Sequence, residues 1–359
     1  MRSSRTSTIL ALGCGDDEGA AEGDLGLDQG TDMGSDMGLE CGPEIVPEGR
    51  SEVVAAYDAG RDAIVVFGGN LGGAPTPPSC TPSTVATDEV LRYDLACERW
   101  STLETTGGGP GPLGRMVGAL DTARNRLIVF GGRNMGLTNQ NATWSLDLET
   151  LAWTEHSNPG VRPPARINST MVHDAGRDRM IVFGGNLGSV LGEIPDQETW
   201  VFDLATDTWS ELPPGGTPPP ARYDRSATVS GDTMYVFGGQ VNFIDYPNDV
   251  YALDLTTDRW ERVRGGGPDA PPTRFGATLV AGEGTLVLAG GHDATALGNL
   301  NDLYSLNLGT GEWTQHAAGD AIDGGLDLAD PAYAPFGAAS IGGEACLRTG
   351  RADCTQYCD

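Results

Sequence analysis

The sequence predicts an all-β fold built from repeated four-stranded sheets, and three features of its 359 residues carry that prediction. A glycine pair ends a short apolar run five times. An Asp or Asn stands six residues before a Trp in every repeat. An Arg opens a further strand upstream of each glycine pair. Self-similarity at a spacing of about 50 residues is the mark of a repeat architecture.

The glycine pairs close the runs Val65-Val66-Phe67-Gly68-Gly69, Ile128-Val129-Phe130-Gly131-Gly132, Ile181-Val182-Phe183-Gly184-Gly185, Tyr235-Val236-Phe237-Gly238-Gly239 and Val287-Leu288-Ala289-Gly290-Gly291. Their first glycines step by 63, 53, 54 and 52 residues. The long first step holds an insertion, Asn70 to Thr87, rich in Pro and carrying Cys80. The second signature runs Asp94 to Trp100, Asp147 to Trp153, Asp203 to Trp209, Asp254 to Trp260 and Asn307 to Trp313. Trp144, Trp200, Tyr251 and Tyr304 stand three residues before that Asp or Asn. Arg50, Arg115, Arg166, Arg222 and Arg274 precede the Phe, or its equivalent Ala289, by 15 or 17 residues.

Each unit therefore supplies four short strands. The first two are joined by tight hairpins such as Asp58-Ala-Gly-Arg-Asp62, whose Asp and Gly suit turn geometry. One such sheet cannot bury both faces alone. Packing sheet against sheet around an axis buries them and protects the edges. The glycines belong where a strand end bends with no room for a Cβ. The Trp is expected to fill the gap to a neighbouring sheet. Burying roughly 150–250 Å² of indole is worth up to about 4–6 kcal/mol.

These residues resemble the kelch repeat, from Arg50 to about His316. The resemblance implies a kelch-type β-propeller with five recognisable four-stranded blades. Pro335-Phe336-Gly337-Ala338 echoes Arg274-Phe275-Gly276-Ala277, as the start of an incomplete sixth blade. Glu44-Ile45-Val46 is a candidate closing strand from the N-terminal side.

The formal net charge is −28. All 22 basic residues are Arg, which excludes Schiff-base chemistry and a P-loop lysine. So acidic a chain repels phosphate backbones, so no nucleic-acid partner is expected. No apolar run approaches the ~20 residues of a membrane-spanning helix.

The N-terminus divides from the repeats. Arg2 and Arg5 precede a short apolar stretch and Cys14, which resembles a bacterial lipoprotein signal with Cys14 as the lipidated residue. A plain cytosolic tail is the alternative. Residues 15–49 hold eleven acids and no base, with an Asp every fourth residue from Asp24 to Asp36. That tract is expected to be a disordered tether, and its period fits no 12-residue calcium loop. The expected organisation is a signal-like segment at 1–14, the tether at 15–49, the propeller at 50–341 and a Cys-containing tail at 342–359. With Cys14 lipidated, the six other cysteines suggest disulfides, with 15 possible pairings. Free thiols in a reducing compartment are the alternative. The expected location is the bacterial cell envelope, lipid-anchored, with no other membrane contact.

Catalytic motifs are sparse. His156 and His316 share one repeat position, three residues after the Trp, so they read as architecture. No two of the four histidines fall at metal-ligand spacing, and no Gly-x-Ser-x-Gly is present. No cofactor and no catalytic residue are expected. The expected function is a monomeric, non-catalytic scaffold that binds a protein or glycan. A carbohydrate-active propeller enzyme, mutarotase-like or galactose-oxidase-like, is the alternative that the family resemblance implies. Candidate contact residues lie on the two loop sets that share one face. Asn70, Arg133, Asn186, Gln240 and His292 follow the glycine pairs, and Arg115, Arg166, Arg222 and Arg274 open the strands.

Overall fold

The computed structural model describes residues 43–71, 85–157, 160–189, 192–242, 245–282, 284–293, 298–300 and 302–317. Cys14, the tether up to residue 42, Cys80, the proposed sixth unit and the Cys-containing tail lie outside the described residues.

Five sheets follow one another along the chain, each with four antiparallel strands in sequence order, and Gly215–Gly216 adds a short parallel fifth strand to the outer edge of sheet four. Sheet one comprises Val54–Asp58, Ala63–Phe67, Val90–Asp94 and Arg99–Leu103. Sheet two comprises Val117–Asp121, Arg126–Phe130, Thr143–Asp147 and Trp153–Glu155. Sheet three comprises Thr170–Asp174, Arg179–Asn186, Pro195–Asp203 and Thr208–Leu212. Sheet four comprises Ser226–Ser230, Thr233–Phe237, Val250–Asp254 and Arg259–Arg264. Sheet five comprises Thr278–Gly282, Thr285–Ala289, Leu303–Asn307 and Glu312–Ala317. The first strands of successive sheets lie side by side, from sheet one to sheet five. This is the blade arrangement of a propeller. The sheets are not closed into a ring among the described residues.

The repeated residues now have physical reasons. Both glycines of each pair have positive φ, as at Gly131 (70°) and Gly132 (94°). A Cβ on Gly132 would stand 2.8 Å from Met116 Cβ and 3.0 Å from Gly114 O, closer than atoms pack. The second glycine of each of the first four pairs donates its N–H to the following blade: Gly69 to Leu113 O, Gly132 to Arg166 O, Gly185 to Arg222 O and Gly239 to Arg274 O, at 2.8–3.2 Å. The Asp six residues before each Trp caps a turn. Asp147 Oδ1 accepts the N–H groups of Glu149 and Thr150 at 2.9 and 2.7 Å, and Asp203 and Asp254 do the same in their sheets. These bonds favour the ionised form; Asp254, bonded by Thr256 and Thr257, is held at about 2.

The Trp of sheets two to five reaches back to the preceding blade, while Trp100 of sheet one packs on Tyr93 of its own sheet. Trp153 meets Phe67, Trp209 meets Phe130, Trp260 meets Phe183 and Trp313 meets Phe237, with ring centroids 4.8–5.7 Å apart. The indole N–H follows the same direction: Trp209 donates to Thr143 Oγ1 at 2.8 Å and Trp260 to Thr199 Oγ1 at 3.3 Å. In sheet four Val250 stands at the position of those threonines, and Trp313 Nε1 is buried without a partner.

One expectation is corrected. Glu44-Ile45-Val46, expected as a closing strand from the N-terminal side, instead adds a single bridge to the outer edge of sheet one, where the Ile45 N–H bonds Trp100 O at 3.1 Å.

Candidate functional site

The strand-opening arginines are framework. Arg166 donates Nε to Pro164 O at 3.0 Å, Nη1 to Gly184 O and Asp196, and Nη2 to Glu198. Arg222 repeats this on Pro220 O, Gly238 O and Asp249, and Arg274 on Pro272 O, Gly290 O and Asp302. All three are at most 1% exposed. Arg50 matches them, with Nε on Glu48 O and Nη2 on Glu89 at 2.8 Å. The guanidinium groups of Arg166, Arg222 and Arg274 thus tie the incoming loop, the glycine turn and the start of the third strand, whereas Arg50 makes no bond to its glycine turn. Arg166, Arg222 and Arg274 offer no surface to a ligand, and they leave the candidate set.

Arg115 is a different case. Gly69 bonds the carbonyl of Leu113, where its counterparts bond those of Arg166, Arg222 and Arg274. Leu113 therefore fills the arginine position in sheet two. The strand-joining loops explain the misreading. Sheets one to three use four-residue loops, which place the arginine 17 residues before the Phe, whereas sheets four and five use two-residue loops and a spacing of 15. Arg115 lies two residues further on, in register with Glu52, Asn168, Asp224 and Gly276.

These five residues form the inner rim at the start of the first strands. All have positive φ, between 52° and 63°. Arg115 N donates to Glu52 O, Asn168 N to Arg115 O, Asp224 N to Asn168 O and Gly276 N to Asp224 O, at 3.0–3.3 Å. The backbone is thus the same in every blade while the side chains are a carboxylate, a guanidinium, an amide, a carboxylate and none. A left-handed conformation costs roughly 1–2 kcal/mol for a residue with a Cβ. Strain of this kind collects where a side chain must be held in a particular place.

The rim side chains converge. Glu52 accepts from Arg115 Nε at 2.7 Å and from Asn70 Nδ2. Burial raises the Glu52 pKa, and Arg115 and Arg133 oppose the rise. On the far side, burial pushes Asp224 up to about 7, with Glu52 adding to the rise and Arg115, Asn168 and Arg225 opposing it. Asp224 of sheet four thus lies within electrostatic reach of residues of sheets one and two. Burial and repulsion from Arg115 lower the Arg133 pKa, while Glu52 raises it. Arg133 donates Nε to Asn139 Oδ1 at 2.9 Å and Nη2 to Gly188 O at 3.4 Å.

Of the residues after the glycine pairs, Asn70 and Arg133 therefore join Arg115 at this mouth. Asn186 and Gln240 do not. Asn186 is buried, its Oδ1 accepting the N–H groups of Gly188 and Ile194 at 2.7 and 2.9 Å, so it shapes its own loop. Gln240 is buried and donates to Tyr246 Oη at 3.3 Å. His292 begins a short strand, His292–Asp293, paired with Gly298–Asn299. Glu52, Asn168 and Asp224 were missed by sequence reasoning. The available signal was their place, just before the first strand, where the repeats disagree in chemistry and where Asn, Asp and Gly favour the left-handed conformation.

One other constellation has a catalytic outline. His156 Nδ1 stands 3.2 Å from Asp207 Oδ2, and its Nε2 stands 2.8 Å from Ser145 Oγ. Ser145 is buried, and the same Ser–His contact recurs between Ser305 and His316 at 2.7 Å. The recurrence marks a structural tie, here joining sheet two to sheet three through Asp207. Among the described residues no three His, Cys, Asp or Glu side chains are grouped to hold a metal ion.

The family model described as the KLHDC2/KLHL20/DRC7 Kelch-repeats domain matches residues 59–194 and 176–324. Acyl-CoA-binding domain-containing protein 5 of Arabidopsis thaliana is 32% identical over 234 residues, covering 61% of this chain and 34% of that protein. The leucine-zipper-like transcriptional regulator 1 homolog of Drosophila melanogaster is 26% identical over 275 residues, covering 73% of this chain and 26% of that protein. Kelch domain-containing protein 10 of Xenopus laevis is 27% identical over 236 residues, covering 63% and 55%. The chain thus spans between about a quarter and just over half the length of these curated relatives. With repeated glycine turns, buried arginines and backward-reaching tryptophans, and with a family model matching most of the molecule, the chain belongs to the kelch-repeat family.

Proposed function

We propose that the propeller is a binding scaffold that holds a protein or glycan partner across the mouth lined by Glu52, Asn70, Arg115, Arg133, Asn168 and Asp224. One observation carries this reading: five equivalent rim positions share one left-handed backbone yet carry a guanidinium, an amide, two carboxylates and no side chain at all. Packing alone does not require that variety. Loops and rims on a rigid frame are where binding residues accumulate. The test is capture of partners from extract by the full chain, followed by Arg133→Ala and Asn168→Ala. The reading expects both variants to lose partners that the wild type retains. Undiminished capture by both would overturn it.

The reading extends to the cell envelope, with the chain tethered through a lipid on Cys14. Its support is the N-terminal sequence, together with Cys97, which is disulfide-bonded, a state that oxidising compartments favour. The relatives named above are plant and animal proteins, so this placement rests on the chain's own residues. The intact mass of the membrane-extracted protein tests it, with diacylglyceryl or triacyl mass on Cys14 as the expected result. A mature chain beginning at Met1 without added mass would end it.

A second reading has one observation in its favour. Glu52 and Asp224 are both raised carboxyls at one mouth, and Asp224 titrates near neutrality, as general acid–base work requires. Sugar anomer exchange followed by NMR, with and without protein, decides it; unaltered exchange across common sugars removes the mutarotase-like activity.

A further inference from the structure

We infer that the seam between sheets one and two is a binding site for a small carboxylate with a short apolar body, held by Arg92. The site lies away from the mouth, on the side of the blades that carries the Asp58 turn, and it does not depend on the mouth being a binding surface. Arg92 stands in the third strand of sheet one, opposite Val65. Its Nε is buried without an acceptor, and its guanidinium makes no hydrogen bond or ion pair among the described residues. Arg50 and Arg225 also hold buried nitrogens without partners, but Arg50 bonds Glu48 O and Glu89, and Arg225 bonds Arg222 O. Arg162, Arg259 and Arg264 make no bonds either, yet none of their nitrogens is enclosed without a partner. Buried donors are almost always satisfied, so the enclosed Nε of Arg92 marks a missing acceptor.

The neighbouring seams show what that acceptor replaces. Between sheets two and three, Arg126 donates to Leu204 O at 2.9 Å and to Asp207 at 3.3 Å, while His156 joins Ser145 to Asp207. Between sheets three and four, Arg179 repeats the tie on Leu255 O and Asp258 at 2.9 and 2.7 Å. In the first seam Ala63 stands at the position of Arg126, Leu151 at that of Asp207, Arg92 at that of Ser145 and Leu103 at that of His156. The tie is gone and a cation remains. Between sheets four and five Thr233 and Gly311 also drop the tie, but Ala252 stands at the position of Arg92 and strands no charge. The first seam instead keeps a cavity of about 120 Å³, lined by Arg92 and walled by Val65, Leu103, Leu148 and Leu151. Arg61 and Glu149 stand at its solvent edge. Asp58 is already occupied by Arg61 Nη1 and the Gly60 N–H, both at 2.9 Å. The site therefore offers a forked cation among four aliphatic side chains. A carboxylate meets that fork with two parallel hydrogen bonds. Since a cavity of about 150 Å³ takes benzene, this one suits a body of about four to six carbon atoms.

The test titrates the full chain at neutral pH with three ligands: isovalerate, isovaleramide, which keeps the shape and loses the charge, and acetate, which keeps the charge and loses the apolar body. Binding is followed by NMR through the Arg92 Nε–H signal, assigned by its correlation to the Arg92 backbone. The expected result is isovalerate binding at least about tenfold tighter than either comparison ligand, the size of one charge-assisted contact or of a few buried methylene groups. The Nε–H signal moves downfield as isovalerate saturates the protein. Arg92→Met, which keeps the apolar bulk of the side chain, removes the preference for the acid over the amide. Leu151→Asp supplies the carboxylate that Asp207 and Asp258 bring to their seams, and it weakens isovalerate by about tenfold. No binding of isovalerate, equal binding of acid and amide, equal binding of isovalerate and acetate, or a preference that survives Arg92→Met overturns the inference. Should Arg92→Met fail to fold, the wild-type signal still decides: an Nε–H unmoved by saturating isovalerate overturns it.

Discussion

Replacing Arg222 by Met separates a framework arginine from a contact arginine. The guanidinium donates to Pro220 O at 3.1 Å, Gly238 O at 3.1 Å and Asp249 Oδ1 at 2.7 Å, and lies 5.4 Å from the Tyr251 ring centroid. Methionine fills much of the volume but leaves Asp249 enclosed with only Arg262, at 3.6 Å, still near. Breaking a buried pair from one side costs roughly 3–5 kcal/mol, most of it from the stranded charge. Against a typical domain stability of about 5–15 kcal/mol, this is a severe loss. At roughly 2–4 °C per kcal/mol for a domain of this size, Tm falls by roughly 6–20 °C. Urea unfolding followed by tryptophan fluorescence gives the free energy. Adding Asp249→Leu to the same chain removes the stranded carboxylate and restores a large part of the loss. A loss below about 1 kcal/mol, or a second substitution that deepens the damage, would refute the assignment of Arg222 to the framework. So would intact stability with abolished partner capture.

The other predictions concern the tryptophans, the rim conformation and pH. Trp260→Ala empties the gap beside Phe183 and costs about 3–5 kcal/mol in urea unfolding, whereas Trp313→Phe, which removes an unpartnered N–H, costs less than about 1.5 kcal/mol. Asn168→Val forces a β-branched residue into φ 54° and lowers stability by at least about 1–2 kcal/mol, while Asn168→Gly leaves stability within about 1 kcal/mol of wild type. For Asp224 the folded pKa, about 7, lies above the unfolded value. The folded state then binds more protons between the two values, so this residue's contribution is fully present below the unfolded pKa and is lost as pH rises through about 7. Asp224→Asn is therefore expected to gain stability relative to wild type between about pH 5 and about pH 8, read from urea midpoints at both; a gap that does not change with pH contradicts the raised pKa.

The fold was legible because its repeats are chemical necessities. Gly68-Gly69 and its copies sit at positive φ beneath the next blade, Asp147 and its copies cap a turn, and Trp260 and three of its copies meet a Phe. Each requirement admits few residue types, so the same letters return. The mouth was only half legible for the same reason. Arg133 and Asn70 stood beside a repeated motif and were found. Glu52, Asn168 and Asp224 meet a backbone requirement that many side chains satisfy, so no letter recurs to mark the position. The arginines misled in the opposite way. Arg166 recurs because Asp196, Gly184 O and Pro164 O demand a forked cation, and recurrence by itself carries no sign of burial. Arg115 was misplaced because a two-residue change in hairpin length shifts the count without changing the letter.

The central claim is that the invariant parts of each blade build the frame and the variable rim meets the partner. The most direct measurement pairs two substitutions of the full chain in one capture experiment. Arg115→Ala removes a rim side chain that bonds Glu52 at 2.7 Å. Arg124→Ala removes a tie between the strand-joining loops of sheets two and three, bonded to Asp178 at 2.7 Å at the opposite end of the first strands. The account predicts that Arg115→Ala loses the captured partner and Arg124→Ala keeps it, with both chains folded by circular dichroism. Retention by Arg115→Ala with loss by Arg124→Ala would place the partner at the other end and contradict the account.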